Sequence, residues 1–218
     1  MSRGCLTLPT VIHVVDDDPS FRAAISRLLQ KVGYEVTAYE SARQLLEQLP
    51  DDSRPSCILL DVQIPGLTGP QLQDRLAERG FTLPIIFLTG HGDIPTSVQA
   101  VKAGAEDFLT KPVTEKKLFA AIERAVARHQ ATREQRDRLS ALRTLVATLT
   151  PREREVFDLV VQGKMNKQIA HEIGATERTV KAHRHKVMEK MRVQSLAELV
   201  SIAVSLGIQA KAGSAVRD

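Results

Sequence analysis

The chain has two cysteines, no tryptophan and no long apolar run. Cys5 and Cys57 do not make a disulfide framework. Cys57 falls inside a short apolar segment, where a small buried hydrophobe is expected. No stretch approaches the roughly 20 apolar residues of a membrane span, and the first residues carry no apolar segment with a cleavage site. Neither anchor nor leader is therefore expected, and the expected compartment is the cytoplasm. Tandem repeats and low-complexity tracts are also absent. What remains is an ordinary globular composition, 43% hydrophobic and 26% charged, over 218 residues. That length allows one large domain or two small ones, each with enough chain for a core.

The charge is unevenly spread. Residues 1–128 carry 14 Lys+Arg against 16 Asp+Glu, whereas residues 129–218 carry 16 against 10. An acidic half joined to a basic half points to two jobs, with a polyanion as the partner of the second.

The acidic half is organised around residues 57–66, Cys-Ile-Leu-Leu-Asp-Val-Gln-Ile-Pro-Gly. A short apolar run ended by Pro-Gly reads as a buried parallel strand, with Asp61 at its carboxyl end. Around it, strand and helix patterns alternate five times. Residues 11–15 read as a strand. Phe21, Ile25, Leu28, Leu29 and Val32 follow at helical offsets, with Gly33 as the stop. Residues 36–39 form the next strand, and Ala42, Leu45, Leu46 and Leu49 a second helix ended by Pro50. Leu72 and Leu76 mark the third helix, 84–89 the fourth strand, 96–103 the fourth helix and 107–110 the fifth strand. Leu118, Ala121, Ile122, Ala125 and Val126 give the last stripe. This alternation predicts a doubly wound α/β fold with a parallel sheet.

The strand ends then gather polar residues at one sheet edge: Asp16 and Asp17, Asp61, Thr89 and Lys111. Several carboxylates at close range need a countercharge, and an all-oxygen, hydrated site suits Mg²⁺. A metal and a lysine beside Asp61 would stabilise a transferred phosphoryl group. An aspartate can itself be the nucleophile, giving an aspartyl phosphate. Thr89 offers a hydroxyl to a phosphate oxygen.

The segments Val-Val-Asp16-Asp17-Asp18, Leu-Leu-Asp61-Val-Gln-Ile-Pro65-Gly66, Leu-Thr89-Gly90-His-Gly and Phe108-Leu-Thr-Lys111-Pro112, in this order and spacing, resemble the receiver domain of two-component response regulators. The resemblance implies a flavodoxin-like (βα)5 receiver over residues 9–128, with Asp61 as phosphoacceptor. Asp16 and Asp17 would hold Mg²⁺ together with Asp61 and the Gln63 backbone carbonyl. Thr89 and Lys111 would read the phosphoryl group, and Phe108 would be the switch aromatic. Gln63 and His91 would tune the lifetime of the acyl phosphate. Gly90 meets the family's need for a small residue beside the site, and the Lys111-Pro112 bond is expected to be cis. Asp18 is either a loop acid near the site or charge at the helix N-terminus.

Residues 129–147 read as a helical linker. Neither Pro nor Gly interrupts from 114 to 150, and Leu139, Leu142, Leu145 and Val146 keep helical spacing. It is either a solvated spacer or a helix that pairs across a dimer. Thr150-Pro-Arg-Glu153 is a capping box with Pro at the first helical position. Its helix buries Val156, Leu159 and Val160 and stops at Gly163. Asn166 is placed as the cap of a second helix bearing Ile169, Ala170 and Ile173. A turn at Gly174 leads to Thr176, the cap of a third helix reaching about residue 192. Ser195 and Glu198 open a fourth. Helices two and three form a helix-turn-helix. The third buries Val180, Val187 and Met191, leaving Arg178, Lys181, Ala182, His185 and Lys186 on the open side, a basic and slender face suited to a major groove.

The segments Leu149-Thr-Pro-Arg-Glu-Arg-Glu-Val156, Gly163-Lys-Met-Asn-Lys-Gln-Ile-Ala170 and Thr179-Val-Lys-Ala-His-Arg184 resemble the LuxR-type DNA-binding domain, an all-α four-helix unit. The expected domain spans 148–210, with a flexible tail at 211–218. The resemblance implies Lys181, Ala182 and His185 near bases. Asn166, Lys167, Thr176, Thr179, His183 and Lys186 would lie at or near the backbone. Together with Thr-Gly-His-Gly-Asp93 in the first half, the arrangement is similar to FixJ-type regulators. The expected function is that of a response regulator, not an enzyme. A sensor histidine kinase phosphorylates Asp61; the surface of about residues 95–110 (fourth helix and fifth strand) then forms a homodimer, and the chain binds promoter DNA, with RNA polymerase as a further partner and no membrane contact. Two alternatives remain: DNA binding without phosphorylation, and a phosphatase with an aspartyl intermediate. Intact Asp61, Thr89 and Lys111 argue against the first. Against the second, Gln63 stands where a further acid would be expected, two residues after Asp61.

Overall fold

The computed structural model describes residues 9–90 and 104–208. The chain divides into two compact units, residues 1–133 and 134–218. In the first, β1 (Val11–Val15), α1 (Pro19–Lys31), β2 (Glu35–Tyr39), α2 (Ala42–Glu47), β3 (Ser56–Asp61), α3 (Gly69–Glu78), β4 (Ile85–Thr89) and β5 (Asp107–Thr110) follow one another, and α4 (Glu115–Ala147) begins after β5. The fourth helix expected at 96–103 lies outside the described residues. The five strands are parallel, in the order β2-β1-β3-β4-β5.

All six residues of β3 are buried. Because side chains alternate along a strand, Ile58 and Leu60 join one core with Val15, Tyr39, Leu72 and Phe87. Cys57 and Leu59 join the other with Ile12, Ile86, Leu118 and Ile122. Two covered faces explain why this segment reads as a continuous apolar run. Leu49 departs from its expected place: α2 stops at Glu47 and Leu49 is 41% exposed. Pro50 disfavours helical backbone in the residue before it, so the apolar spacing outruns the helix.

The helix α4 has 33 residues, about 50 Å at ~1.5 Å per residue. Its residues up to 133 belong to the first unit and the rest to the second. Leu118, Ala121, Ile122 and Ala125 bury its first face. His129 is buried too, and its Nδ1 accepts the Ser56 N–H at 3.1 Å, tying the helix to the start of β3.

The second unit contains α5 (Pro151–Val161), α6 (Asn166–Glu172), α7 (Glu177–Lys190) and α8 (Leu196–Ser205). Its core includes Val156, Phe157, Ile169, Val180, Val187, Met191, Leu199 and Ala203. Thr150 and Glu153 form the expected capping box, and Ser195 and Thr176 cap α8 and α7. Asn166 is not a cap. It is the first residue of α6, and Met165 takes the cap position because the Gln168 side chain accepts the Met165 N–H at 2.8 Å. Gly174, at φ 63°, makes the turn between α6 and α7. Among the described residues no helix is long and apolar enough to cross a membrane.

Candidate functional site

In an open parallel sheet, ligands sit beyond the carboxyl ends of the strands, where the strand order reverses. Here that point lies between β1 and β3. Asp16 follows β1 and is 1% exposed, Asp17 beside it is open to solvent, and Asp61 ends β3. One carboxylate oxygen from each lies within 4.8 Å of the others. Lys111, just past β5, places Nζ 2.6 Å from Asp16 Oδ2 and 3.1 Å from Asp61 Oδ2. The backbone completes the frame. The Asp18 N–H donates to Asp16 Oδ1 at 2.9 Å, the Gln63 N–H to Asp61 Oδ1 at 3.3 Å, and Arg22 to the Asp16 carbonyl at 2.7 Å.

Asp18 is settled by geometry. Its carboxylate accepts the N–H groups of Ser20 and Phe21, so it caps α1. Burial pushes Asp16 above the ordinary carboxylate range, and the Lys111 ammonium offsets this only in part. Burial alone would lower Lys111, but its hydrogen bonds to Asp16 and Asp61 outweigh it and hold the ammonium above its usual value. One ammonium bonded to two of three clustered carboxylates leaves negative charge to balance. The donors are hard oxygens, and Asp17 is accessible, so the cluster fits a hydrated divalent cation such as Mg²⁺.

Thr89 ends β4, is 2% exposed and stands in register with Thr110 of β5. Phe108 on β5 is half-buried, its ring 6.2 Å from that of Phe87. The Lys111-Pro112 bond is cis. His91 lies outside the described residues, as does most of the surface expected at 95–110. Two contacts were not evident in the sequence. Lys111 Nζ stands 4.0 Å above the centre of the Phe21 ring. Gly69, at the start of α3, packs directly beneath Phe87 and the Asp61 carbonyl. Phe21 counts in the sequence only as the first residue of an apolar stripe, and Gly69 only as a residue beside a proline.

In the second unit Arg178, Thr179, Lys181, Ala182, His185 and Lys186 are all exposed on α7, and His183 is half-buried. Val180 and Val187 hold the opposite face in the core. The Thr176 hydroxyl accepts the Thr179 N–H at 3.2 Å and lies 2.9 Å from the Thr179 hydroxyl, so it is engaged as a cap. Lys167 is exposed, while Asn166 is half-buried and lines a shallow cleft with Lys164 and Arg184.

Residues 12–123 match the response regulator receiver domain, and residues 147–203 match the bacterial regulatory proteins of the luxR family. Nodulation protein W of Bradyrhizobium diazoefficiens is 46% identical over 201 residues, covering 92% of this chain and 88% of that one. The transcriptional regulatory protein FixJ of Azorhizobium caulinodans is 39% identical over 198 residues, covering 90% and 93%. Among solved structures, the response regulator StyR superposes with a TM-score of 0.82 at 42% identity, covering 90% of this chain and 98% of that one. Full-length FixJ from B. japonicum gives 0.55 at 38% identity, covering 91% and 98%.

Proposed function

Because the chain belongs to the response regulators that join a receiver domain to a luxR-family DNA-binding domain, we propose that phosphorylation of Asp61 controls its dimerisation and its binding to promoter DNA. Its family is one of transcription regulators and not of classical enzymes. The observation that carries the proposal is the meeting of Asp16, Asp17 and Asp61 at one sheet edge with the Lys111 ammonium between two of them.

An Asp61 oxygen attacks the phosphorus of a phosphohistidine on a sensor kinase. The N–P bond breaks, the imidazole nitrogen keeps the bonding pair and takes up a proton, and an acyl phosphate remains on Asp61. Mg²⁺ held by Asp16, Asp17, Asp61 and the Gln63 carbonyl would neutralise charge on the transferred group. Lys111 already touches Asp61 and needs only a short shift to reach a phosphoryl oxygen. Thr89 offers its hydroxyl to the same group, and Phe108 changes position as Thr89 is drawn in. Gln63 and His91 govern access of water and hence the lifetime.

The output is a population shift: the phosphoryl group must bind one arrangement of the receiver more favourably than the other. We assign that arrangement to a homodimer formed through the surface of about residues 95–110. Two basic α7 faces then meet one DNA site, with Lys181, Ala182 and His185 at base edges. Asn166, Lys167, Thr176, Thr179, His183 and Lys186 lie at or near the backbone, and Arg178 on the same open face contacts bases or phosphates. The division into receiver (9–128), linker (129–147), DNA-binding domain (148–210) and tail (211–218), the cytoplasmic setting and contact with RNA polymerase belong to the same reading.

Light-scattering mass of wild type and Asp61→Asn, with Mg²⁺, before and after beryllofluoride, tests it. A shift from monomer to dimer in wild type alone is the expected result. An unchanged mass and an unchanged DNA affinity in wild type would refute the coupling.

A further inference from the structure

We infer that Phe21 is a positioning residue for Lys111, holding the ammonium by a cation–π contact. The inference rests on the proposed role of Lys111 in reading the phosphoryl group.

The position of Phe21 is set locally. Asp18 caps α1 and accepts the Phe21 N–H at 3.3 Å, so the first turn of the helix is fixed against the pocket that Asp16 begins. The same turn sends Arg22 to the Asp16 carbonyl. Further along this face, Ile25 and Leu29 go fully into the core, whereas Phe21 is only half-buried. Its ring leans over the end of the sheet, and Lys111 Nζ lies 4.0 Å from its centroid. A cation placed over the ring face meets the negative lobe of the aromatic quadrupole, and the attraction grows when water is excluded. The Lys111 side chain is only 20% exposed.

Lysine needs such a restraint. Its ammonium is a point charge on a flexible stem. Asp16 and Asp61 take two of its directions, at 2.6 and 3.1 Å, and the Phe21 ring occupies a third. When Asp61 is phosphorylated the Asp61 bond must be exchanged for one to a phosphoryl oxygen. Asp16 and the ring are the contacts that persist through that exchange. They keep the charge where negative charge develops, so little reorganisation is left for the reaction itself. Phe21 touches no reacting atom, and its effect passes through Lys111.

The experiment compares Phe21→Leu, which keeps apolar bulk and loses the quadrupole, with Phe21→Tyr, which keeps both. The rate of label incorporation from acetyl phosphate with Mg²⁺ is measured beside the thermal midpoint. The Lys111 ε-methylene proton shifts, assigned by comparison with Lys111→Arg, are followed by NMR without metal. We expect incorporation about three- to tenfold slower in Phe21→Leu and within about twofold of wild type in Phe21→Tyr, a contrast that a purely packing role would not produce. The ε-methylene protons should be ring-shifted upfield in wild type and Phe21→Tyr, and return to ordinary values in Phe21→Leu. Equal rates in Phe21→Leu and wild type, or a tyrosine variant as slow as the leucine one, would overturn the positioning role. Unshifted ε-methylene protons in wild type would overturn the contact. Wild type that takes no more label than Asp61→Asn would instead overturn the phosphoacceptor reading, with the ε-methylene shifts still deciding the contact.

Discussion

A side-chain carbon on Gly69 would stand 2.6 Å from Cε1 of Phe87 and 3.0 Å from the Asp61 carbonyl oxygen. Both neighbours are fixed: Phe87 is fully buried and Asp61 ends the central strand. The Gly69 N–H also donates to the Val62 carbonyl at 3.0 Å, closing the loop that follows the acceptor. Gly69→Ala therefore has to displace either the ring or the strand end. We predict a loss of about 1–3 kcal/mol in stability, in line with overpacking of a close-packed core, together with slower phosphoryl uptake at Asp61. Adding Phe87→Leu removes the clashing atom and should restore part of both. The checks are urea midpoints and label incorporation; a single variant with a wild-type midpoint would mean the contact relaxes freely.

His13 gives the first unit a specific acid sensitivity. It lies 5% exposed in β1, with the Tyr39 hydroxyl 3.3 Å from Nδ1, and burial lowers its pKa from 6.5 to about 4. The folded state thus keeps the ring neutral over a range in which the unfolded chain protonates it. Its contribution is complete above pH 6.5 and declines as pH falls towards 4, by up to about 3 kcal/mol. In His13→Gln, which leaves an acceptor for Tyr39, this part of the pH dependence should vanish. Denaturation midpoints of both proteins from pH 7.5 to 4.5 decide it: parallel curves would refute the assignment.

The strand ends were legible in the sequence because a strand buried on both faces leaves few places for charge. Asp16, Asp61 and Thr89 each end or follow a buried apolar run, Lys111 follows the short, partly exposed strand β5, and a parallel sheet brings such ends to one edge. What stayed hidden depended on partners distant in sequence or on local competition. Phe21 fits the helical stripe, and periodicity gives a face but not which side chain overhangs the sheet edge to meet Lys111, 90 residues on. His129 reads as the first residue of the helical linker, yet it is buried against the Ser56 amide. Asn166 is a favoured cap residue type, but a glutamine two residues later satisfies the preceding amide and moves the helix start.

Glu153 belongs with those hidden partners. The sequence marks it as the acid of a capping box, and it does accept the Thr150 N–H at 2.8 Å. It is also 3% exposed and accepts from Lys190 at 2.6 Å, clamping the start of α5 to the end of α7. The Lys190 ammonium, with the Thr150 amide, holds its carboxyl at about 2 instead of 4.5. A depressed acid stabilises the fold fully above its unfolded pKa, and that contribution is lost as pH drops from about 4.5 through 2. Glu153→Gln keeps an acceptor but removes the charge, and should cost the second unit about 1–3 kcal/mol at neutral pH. Amide exchange of Val156 and Val187 should quicken, with protection in β3 unchanged. Equal loss of protection in β3 would show that the effect is not local to this clamp.

Lys181 separates base reading from mere charge on α7. It stands exposed one residue after the buried Val180 and beside the small Ala182, where a recognition helix can approach base edges. If Lys181 reads a base, Lys181→Ala should weaken the specific site by about 1–3 kcal/mol and leave non-specific affinity nearly unchanged. Lys186, assigned to the backbone, should behave differently. Its alanine variant should lose affinity on every sequence and lower the salt slope by about 1. Anisotropy titrations of a specific and a scrambled duplex at several salt concentrations distinguish the two patterns. Lys181→Ala following the Lys186 pattern would move Lys181 to the phosphates and leave Ala182 and His185 as the assigned base contacts.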